Sequence, residues 1–394
     1  MGKICIPKSE FCERRDRIRA VMSERGLDAV LVYGDEYRKE NLRYVSNYWP
    51  IFERGACVIG KTGDPIVLCA PEGEQVAHEM SIWEDVRLLP DFLCVTVPDE
   101  IDYPLATYTS FKAIAAELSS AGPLNRLGLV GIDAMSHPLY EAITEAFGCE
   151  IEDANDIIFE LRKTKSENEI ACLQEAARIA DEGMKAMMTS DLIGLTEIAA
   201  CAIAEGKARQ EGAEAIIFTV FGSGDRTNRI VGRPTLKKIE DGDMIMLALA
   251  VQYEGYVATC EAPFAVGNAS AETIRVIDTL IHASAAGLPF LKAGLPMKQF
   301  VQAVRNYFKD AGLSEYDVYP PLHGIGCAEA ESPYPDENTE KMFEEGMTVN
   351  TDISLFGLPG GSNRIEEGFV VTKEGARTLS PFVRAYCEKW LKEH

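Results

Sequence analysis

The pattern of predicted elements changes near residue 160, and this change limits the chain to a two-part architecture. Before it, helical and strand patterns alternate, with a helix over 13–26, a strand over 28–34 and a hairpin over 56–73. After it come long helical patterns, beginning with 169–188. Alternation of helix and strand is typical of α/β domains. We therefore predict an α/β domain over residues 1–160 and an α+β domain over residues 161–394.

An apolar run in the second part predicts a pair of strands. The segment MIMLALA (244–250) continues into VQYEGYVATCEAPFAVG (251–267), where β-branched and aromatic residues dominate. Glu254 and Gly255 mark the predicted turn between the strands. Further helices are predicted between residues 270 and 312. These patterns together predict helices packed on a largely antiparallel sheet.

The charge and the cysteine content restrict the partners and the compartment. The formal net charge is −23 at pH 7, which argues against nucleic acid or an anionic membrane as a partner. No apolar run approaches the roughly 20 residues of a membrane span, and the start MGKICIPKSEF has no signal-peptide core. The 11 cysteines lack zinc-finger or CxxC spacing. A cytoplasmic protein is therefore predicted.

Five segments of the second part form an ordered set: RKTKSENEIACLQEAARIAD (162–181), IEDGDMIMLALAVQYEGYVATCEAPFAVG (239–267), PLHGIGCAEAESP (321–333), FEEGMTVNTDISL (343–355) and NRIEEGFVVTKEG (363–375). Together they resemble the pita-bread family of creatinase, prolidase, aminopeptidase P and methionine aminopeptidase. The segment GLDAVLVYGDEYRKENLRYVSNYW (26–49) resembles the N-terminal domain of creatinase and prolidases. The resemblance implies a creatinase-type N-terminal domain, a pita-bread domain and a homodimer.

The metal-ligand positions of this family are only partly kept. The metallopeptidases bind two metal ions through Asp, Asp, His, Glu and Glu, and the matching positions here hold Ala248, Thr259, His323, Asp352 and Glu366. The first two supply no negative charge, whereas a pair of divalent ions needs several anionic oxygens. We therefore predict no metal and no other cofactor, while a single ion on the remaining three side chains stays an alternative.

Creatinase hydrolyses a C–N bond on this scaffold without a metal, and two of its features have counterparts here. Its Glu two residues after the second lost Asp corresponds to Glu261. Its Phe-x-Arg, whose Arg holds the substrate carboxylate in the neighbouring subunit's site, corresponds to Phe52 and Arg54. Its general-base His falls on Val231 or Gly232. Either the base has moved or the chemistry differs from that of creatinase.

The leading prediction is a metal-independent, creatinase-like hydrolase of a C–N or amide-type bond in a small carboxylate-bearing substrate. His323 is predicted to transfer protons, and Glu261 and Glu366 to hold a nitrogen or water through charge-assisted hydrogen bonds. The plain alternative for Glu366 is an ion pair with Arg364. The predicted substrate-binding residues are Arg54, which holds the carboxylate, together with Phe52, Asp352 and Glu331.

Three other interpretations remain open. The first is an Xaa-Pro-type metallopeptidase with a reduced metal site. The second is a non-catalytic pita-bread module that binds peptides or proteins, which the lost ligands would favour. The third is a Cys–His nucleophile formed by His323 with Cys260 or Cys327, both of which adjoin predicted site residues, although free cysteines are usually buried as small apolar side chains.

Overall fold

The computed structural model describes residues 4–94, 101–359 and 361–394. These residues divide into a front unit, Ile6–Arg162, and a C-terminal unit, Lys163–His394, which also includes residues 4–5. The predicted boundary at residue 160 lies inside a helix, Asn155–Lys163. No helix in the described part of the chain has the length and apolar character needed to cross a membrane.

The described residues of the front unit form a six-stranded mixed sheet with helices. The strands are β1 (Ala29–Asp35), β2 (Arg54–Gly60), β3 (Ile66–Cys69), β4 (Val86–Leu88), β5 (Arg126–Val130) and β6 (Glu150–Asp153). The helices are α1 (Lys8–Arg25), α2 (Glu40–Ser46), α3 (Glu74–Met80), α4 (Phe111–Ser120), α5 (His137–Phe147) and α6 (Asn155–Lys163), with a 3₁₀ turn at Pro90–Phe92. The strand order is β4-β3-β2-β1-β5-β6. The α/β prediction is confirmed.

The centre of this sheet is buried because its strands are apolar on both faces. Residues Ala29 to Gly34 of β1 are all buried, which is typical of a strand covered on both sides. β1 runs parallel to β5 and antiparallel to β2. The predicted hairpin is present as β2 and β3, and Gly63 in its turn has a φ of 74°.

The described residues of the C-terminal unit form two four-stranded sheets and the helices that cover them. The strands are β7 (Ala215–Ser223), β8 (Met244–Tyr253), β9 (Tyr256–Cys260), β10 (Phe264–Ala265), β11 (Leu322–Gly324), β12 (Thr348–Leu355), β13 (Asn363–Val371) and β14 (Ala376–Thr378). The helices are α7 (Glu167–Met188), α8 (Glu197–Gln210), α9 (Ala271–Gly287), α10 (Met297–Asp310) and α11 (Pro381–Glu393), with 3₁₀ turns at Gly224–Asn228, Leu288–Phe290 and Ser314–Tyr316.

Both sheets of the C-terminal unit are antiparallel, as the sequence predicts. In the first sheet β8 pairs with β7, β9 and β10, and in the second the order is β11-β12-β13-β14. Glu254 (φ 48°) and Gly255 (φ 81°) form the predicted turn between β8 and β9, since a two-residue hairpin loop favours positive φ at both positions. Glu261 and Glu366 exchange two backbone hydrogen bonds of 3.0 Å, which connect the sheets.

Alternation along β12 and β13 separates a polar face of the second sheet from an apolar one. Asp352 pairs with Glu366 across these strands, and both line a cavity. Their neighbours Ile353 and Ile365, also paired, belong to the apolar core of the unit. Because successive side chains of a strand point to opposite faces, the register of this sheet places Asp352, Arg364 and Glu366 on the same face.

Candidate functional site

A cavity of about 430 Å³ in the C-terminal unit has one charged wall and one mainly apolar wall. The second sheet and the loop after β11 provide the charged wall, and β7 and the segment before β8 provide much of the other. The charged members are His323, Glu329, Asp352, Arg364 and Glu366, with Arg233 exposed at the edge. Of the predicted site residues, the cavity therefore brings together His323, Asp352 and Glu366.

The imidazole of His323 is held in one orientation. Its Nδ1 lies 3.0 Å from the carbonyl oxygen of Gly324, and its ring stacks on Tyr334 with centroids 5.5 Å apart. A carbonyl oxygen only accepts hydrogen bonds, so Nδ1 carries the proton when the ring is neutral. The lone pair is then on Nε2, which lies 3.7 Å from Oε1 of Glu329. This nitrogen can accept a proton or bind a metal ion.

Arg364 forms a buried bridge between two of the predicted glutamates. Its Nε lies 2.5 Å from Oε2 of Glu261 and 3.0 Å from Oε1 of Glu366. The side-chain amide of Asn350 donates to Oε2 of Glu366 at 2.9 Å. The ion pair considered as the plain alternative for Glu366 is therefore present. Glu261 is fully buried outside the residues that line the cavity, so its carboxylate contacts the cavity wall through Arg364.

Burial changes the ionisation of the carboxyl groups in this wall. It raises the pKa of Glu261 to about 7 and the pKa of Glu366 well above its usual range, with the charge of Arg364 opposing both shifts. Burial likewise raises the pKa of Asp352, although Arg364 and His323 oppose it. Carboxylates removed from water favour a proton or a nearby cation.

Glu329 is the site residue that the sequence reasoning missed. Its Oε1 accepts a hydrogen bond of 3.2 Å from the hydroxyl of Thr259, the residue at the second lost Asp position. A carboxylate from the loop after β11 therefore lies beside a position where the family supplies one from a strand. The signal available in the sequence was an acidic residue directly before Ala330, in the motif that also contains His323. Arg233 was missed as well, because nothing in its local pattern distinguishes it from other loop arginines.

The donor atoms present fit one metal ion and do not fit a pair. One ligand atom each from His323, Glu329 and Glu366 lie within 4.8 Å of one another. One imidazole and two carboxylates are a donor set suited to a borderline divalent ion. At the first lost Asp position, Ala248 packs in an apolar cluster with Val220, so that position offers no ligand for a second ion.

Three predicted substrate-binding residues lie outside this cavity. Glu331 pairs at 2.6 Å with Nζ of the buried Lys165, and it is not among the residues that line the cavity. Phe52 and Arg54 belong to the front unit, where Phe52 is 47% exposed and Nη1 of Arg54 donates to the carbonyl of Leu93 at 3.4 Å. Their predicted role in a neighbouring subunit of a homodimer stays a prediction.

The cysteine hypothesis does not agree with the geometry. Cys260 is fully buried in the apolar core, and burial raises the pKa of its thiol well above the ordinary value. A thiolate nucleophile is therefore disfavoured there. Cys327 is buried too, and the cavity is lined by neither cysteine within the described residues.

The position of the creatinase base lies within the cavity but holds no titratable group. Val231 and Gly232 both line it, as does Ala330. The histidine that creatinase uses for proton transfer therefore has no titratable counterpart at this position. Among the described residues that line the cavity, His323 provides the imidazole.

Comparison with known proteins assigns the chain to a family. A model described as Creatinase/Prolidase N-terminal domain matches residues 14–164, and one described as Metallopeptidase family M24 matches residues 171–373, more than half of the chain. The chain belongs to metallopeptidase family M24. The predicted membership of the creatinase/prolidase group and the prediction of a hydrolase of that group are confirmed.

Individual M24 relatives and a solved structure match between 65% and 93% of the chain. The Xaa-Pro dipeptidase of Pyrococcus furiosus is 25% identical over 370 residues, covering 93% of this chain and 97% of that protein. An uncharacterized peptidase of Bacillus subtilis, YqhT, is 29% identical over 259 residues, or 65% of this chain and 73% of that protein. The prolidase of Pyrococcus horikoshii OT3 has a TM-score of 0.80 at 22% identity, covering 93% of this chain and 98% of that one. The pita-bread fold is confirmed.

Proposed function

We propose that this M24 hydrolase cleaves small dipeptides of the Xaa-Pro type and uses one divalent metal ion held by His323, Glu329 and Glu366. The observation that carries the proposal is the convergence of these three side chains, with ligand atoms within 4.8 Å of one another, in one cavity. The orientation of His323 supports it, because its Nδ1–H faces a backbone carbonyl and its Nε2 is directed at Glu329. Metal-binding imidazoles are commonly fixed by such a hydrogen bond.

The charge of the wall also favours a bound cation. Glu261, Asp352 and Glu366 surround the guanidinium of Arg364, and Glu329 adds a fourth carboxyl group to the cavity wall. Burying several carboxylates without compensating positive charge is unfavourable by several kcal/mol per group. A bound divalent ion would compensate this excess of negative charge. Its binding would account for the clustering of acidic residues in the cavity wall.

The residues around the ion position orient its ligands. Arg364 and Asn350 bind the two oxygens of Glu366, and the Thr259 hydroxyl binds Glu329. When bound, a divalent ion supplies Lewis-acid polarisation of the scissile carbonyl and activation of water. The imidazole of His323 and the carboxylates hold that charge in place, while the apolar wall that includes Val220 limits the water around the substrate.

The size and rim of the cavity suit a dipeptide. Its volume of about 430 Å³ lies in the range of small-molecule sites. The exposed guanidinium of Arg233 at its edge can take a carboxylate through two parallel hydrogen bonds. Arg54 remains a second candidate for the carboxylate in a homodimer. The Xaa-Pro preference is suggested by the dipeptidase of Pyrococcus furiosus, which aligns with 93% of this chain.

The metal-dependent interpretation replaces the leading prediction of metal-free chemistry. That prediction rested on the lost ligands at Ala248 and Thr259 and on the creatinase-like Glu261. Glu329 restores one carboxylate, and Glu261 is bound to Arg364 behind the cavity wall. The family model that matches is that of metallopeptidases.

The test is hydrolysis of Ala-Pro, Met-Pro and creatine by protein that is first treated with a chelator and then supplied with Mn²⁺, Co²⁺ or Zn²⁺. We expect Xaa-Pro hydrolysis that is lost in the chelator and restored by one of the ions, with no turnover of creatine. Activity that is unchanged in the chelator would support the metal-free interpretation instead. Binding of dipeptides without turnover under every condition would support a binding module.

A further inference from the structure

Asp352 is a buried acid in the cavity, and one of its two carboxyl oxygens has no hydrogen-bond partner among the described residues. It lies on β12, lines the cavity and is 7% exposed. Its Oδ1 is buried and has no hydrogen-bond partner among the described residues. The nearby guanidinium of Arg364 makes its close ion pairs with Glu261 and Glu366 instead. The group that satisfies Asp352 is therefore expected to come from a ligand.

The metal ion of the proposed function is not that group. The donor atoms that converge come from His323, Glu329 and Glu366, and the set found among the described residues does not include Asp352. The charges of Arg364 and His323 act on Asp352, but a buried carboxylate oxygen left without a hydrogen bond is still unfavourable. A positively charged donor on the substrate would remove this cost on binding.

The surroundings of Asp352 suit a small cation. Phe218, Tyr319 and Tyr334 line the same cavity, and Tyr319 packs edge-on against Phe356. Aromatic faces attract ammonium groups, and a primary ammonium has three donors for surrounding acceptors. Arg233 at the rim supplies the opposite charge. The cavity thus has a negative group within and a positive group at its edge, which complements a zwitterion.

We propose that Asp352 binds the free α-ammonium group of the substrate and makes the site selective for unblocked dipeptides. This inference rests on the proposed dipeptidase function and adds the group that determines specificity. The ion pair and hydrogen bond to Asp352 hold the amino end of the substrate. The peptide carbonyl is thereby held at a fixed distance from the ion ligands, and no bond is made or broken at Asp352.

The test compares Ala-Pro with propionyl-proline, which has the same skeleton but lacks the ammonium group, in the parent protein and in Asp352→Asn. A charge-assisted hydrogen bond corresponds to a change of about 10- to 150-fold. We expect the parent to prefer Ala-Pro by that factor in kcat/KM, mainly through KM. In Asp352→Asn the preference should nearly disappear, while kcat/KM for propionyl-proline changes less than about threefold. The matched control, Asp310→Asn at an exposed position, should keep the preference of the parent.

Three outcomes would overturn the inference. An equal loss for both compounds in Asp352→Asn, with a reduced metal content, would make Asp352 a metal-positioning residue. An equal loss at full metal content would make it a proton-transfer residue. An unchanged preference would also contradict the assignment.

Calorimetric binding separates this inference from the proposed function. If the parent hydrolyses neither compound, the dipeptidase proposal fails. The Asp352 assignment is then supported by tighter binding of Ala-Pro than of propionyl-proline and loss of that difference in Asp352→Asn. Equal affinities, or no binding of either compound, would overturn it.

Discussion

Glu366 and Glu367 are neighbours on β13 that lie on opposite faces of the same sheet. Both are buried, and each has an arginine nearby, Arg364 at 3.0 Å for Glu366 and Arg384 at 3.3 Å for Glu367. Glu366 lines the cavity, whereas Glu367 accepts a hydrogen bond of 3.1 Å from Thr378 behind the sheet. The two glutamates therefore have different surroundings because adjacent residues of a strand point to opposite faces of the sheet.

The two faces deal with buried negative charge in different ways. Burial raises the pKa of Glu367 to about 8 and that of Glu366 well above its usual range, but Glu367 lies outside the cavity that Glu366 lines. On the cavity face, several acidic side chains lie near Arg364, and the cavity gives a ligand access to them. We infer that a buried acid indicates a functional site here only when it shares a cavity with other acids.

The largest expected effect is the loss of activity in Glu366→Gln. This change removes an anionic ion ligand and the partner of Arg364, and we expect kcat/KM to fall at least about 100-fold. Glu367→Gln is the matched control on the other face, and it should keep activity within about threefold. Steady-state kinetics with Ala-Pro measure both. Similar losses in the two variants would remove the proposed distinction between the faces.

Glu329→Gln should weaken metal binding by more than tenfold, because an amide oxygen is a poorer ligand than a carboxylate. Isothermal titration with Mn²⁺ measures the dissociation constant directly. Glu315→Gln, at an exposed position of the same unit, is the control and should bind as the parent does. An unchanged affinity in Glu329→Gln would remove Glu329 from the ion site.

The stability of Glu367→Gln should depend on pH differently from that of the parent. The folded-state pKa is raised above the unfolded value, so the stabilisation that the parent draws from this proton is complete at low pH. It is lost as the pH rises through about 8. Relative to the variant, the parent's free energy of unfolding should fall by at most about 1.4 kcal/mol per pH unit between pH 5 and 8. Urea unfolding at three pH values tests this, and parallel pH profiles would contradict it.

The smallest effect is expected for Thr259→Val, which removes the hydroxyl that donates to Glu329 while keeping the shape of the side chain. Groups that orient a metal ligand typically change metal affinity 10- to 100-fold, and we expect the lower end of that range. The titration used for Glu329→Gln measures it. An effect larger than that of Glu329→Gln would mean that Thr259 acts other than through Glu329.

Local patterns predicted much of this fold from the sequence. The turn at Glu254 and Gly255 and the hairpin around Gly63 depend on residues adjacent in the chain, and both are present. His323 and Glu366 could be found because they lie in motifs of the family. Motif matching, however, shows only which residue types occupy the motif positions of the family. It does not show which side chains from other segments lie next to them.

The remainder of the site depends on contacts between distant segments. Glu329 approaches Thr259 across 70 positions of sequence, so its place in the His323 motif did not by itself reveal this contact. Glu261 was predicted to act directly because its position matches creatinase, but its partner Arg364 is 103 positions away and separates it from the cavity. Strand pairing brings Glu261 close to Arg364, whereas the path of the loop after β11 brings Glu329 to Thr259. The sequence alone gives neither the register nor the loop path.

The measurement that tests the central claim most directly is the metal content of the protein after equilibrium dialysis against Mn²⁺, read by mass spectrometry and compared with Glu366→Gln. We predict one ion per chain in the parent and a clear loss in the variant at the same free Mn²⁺ concentration. Two ions per chain would mean that a complete family metal site forms despite Ala248 and Thr259. An equal ion content in parent and variant, or none in either, would contradict a single ion held by His323, Glu329 and Glu366.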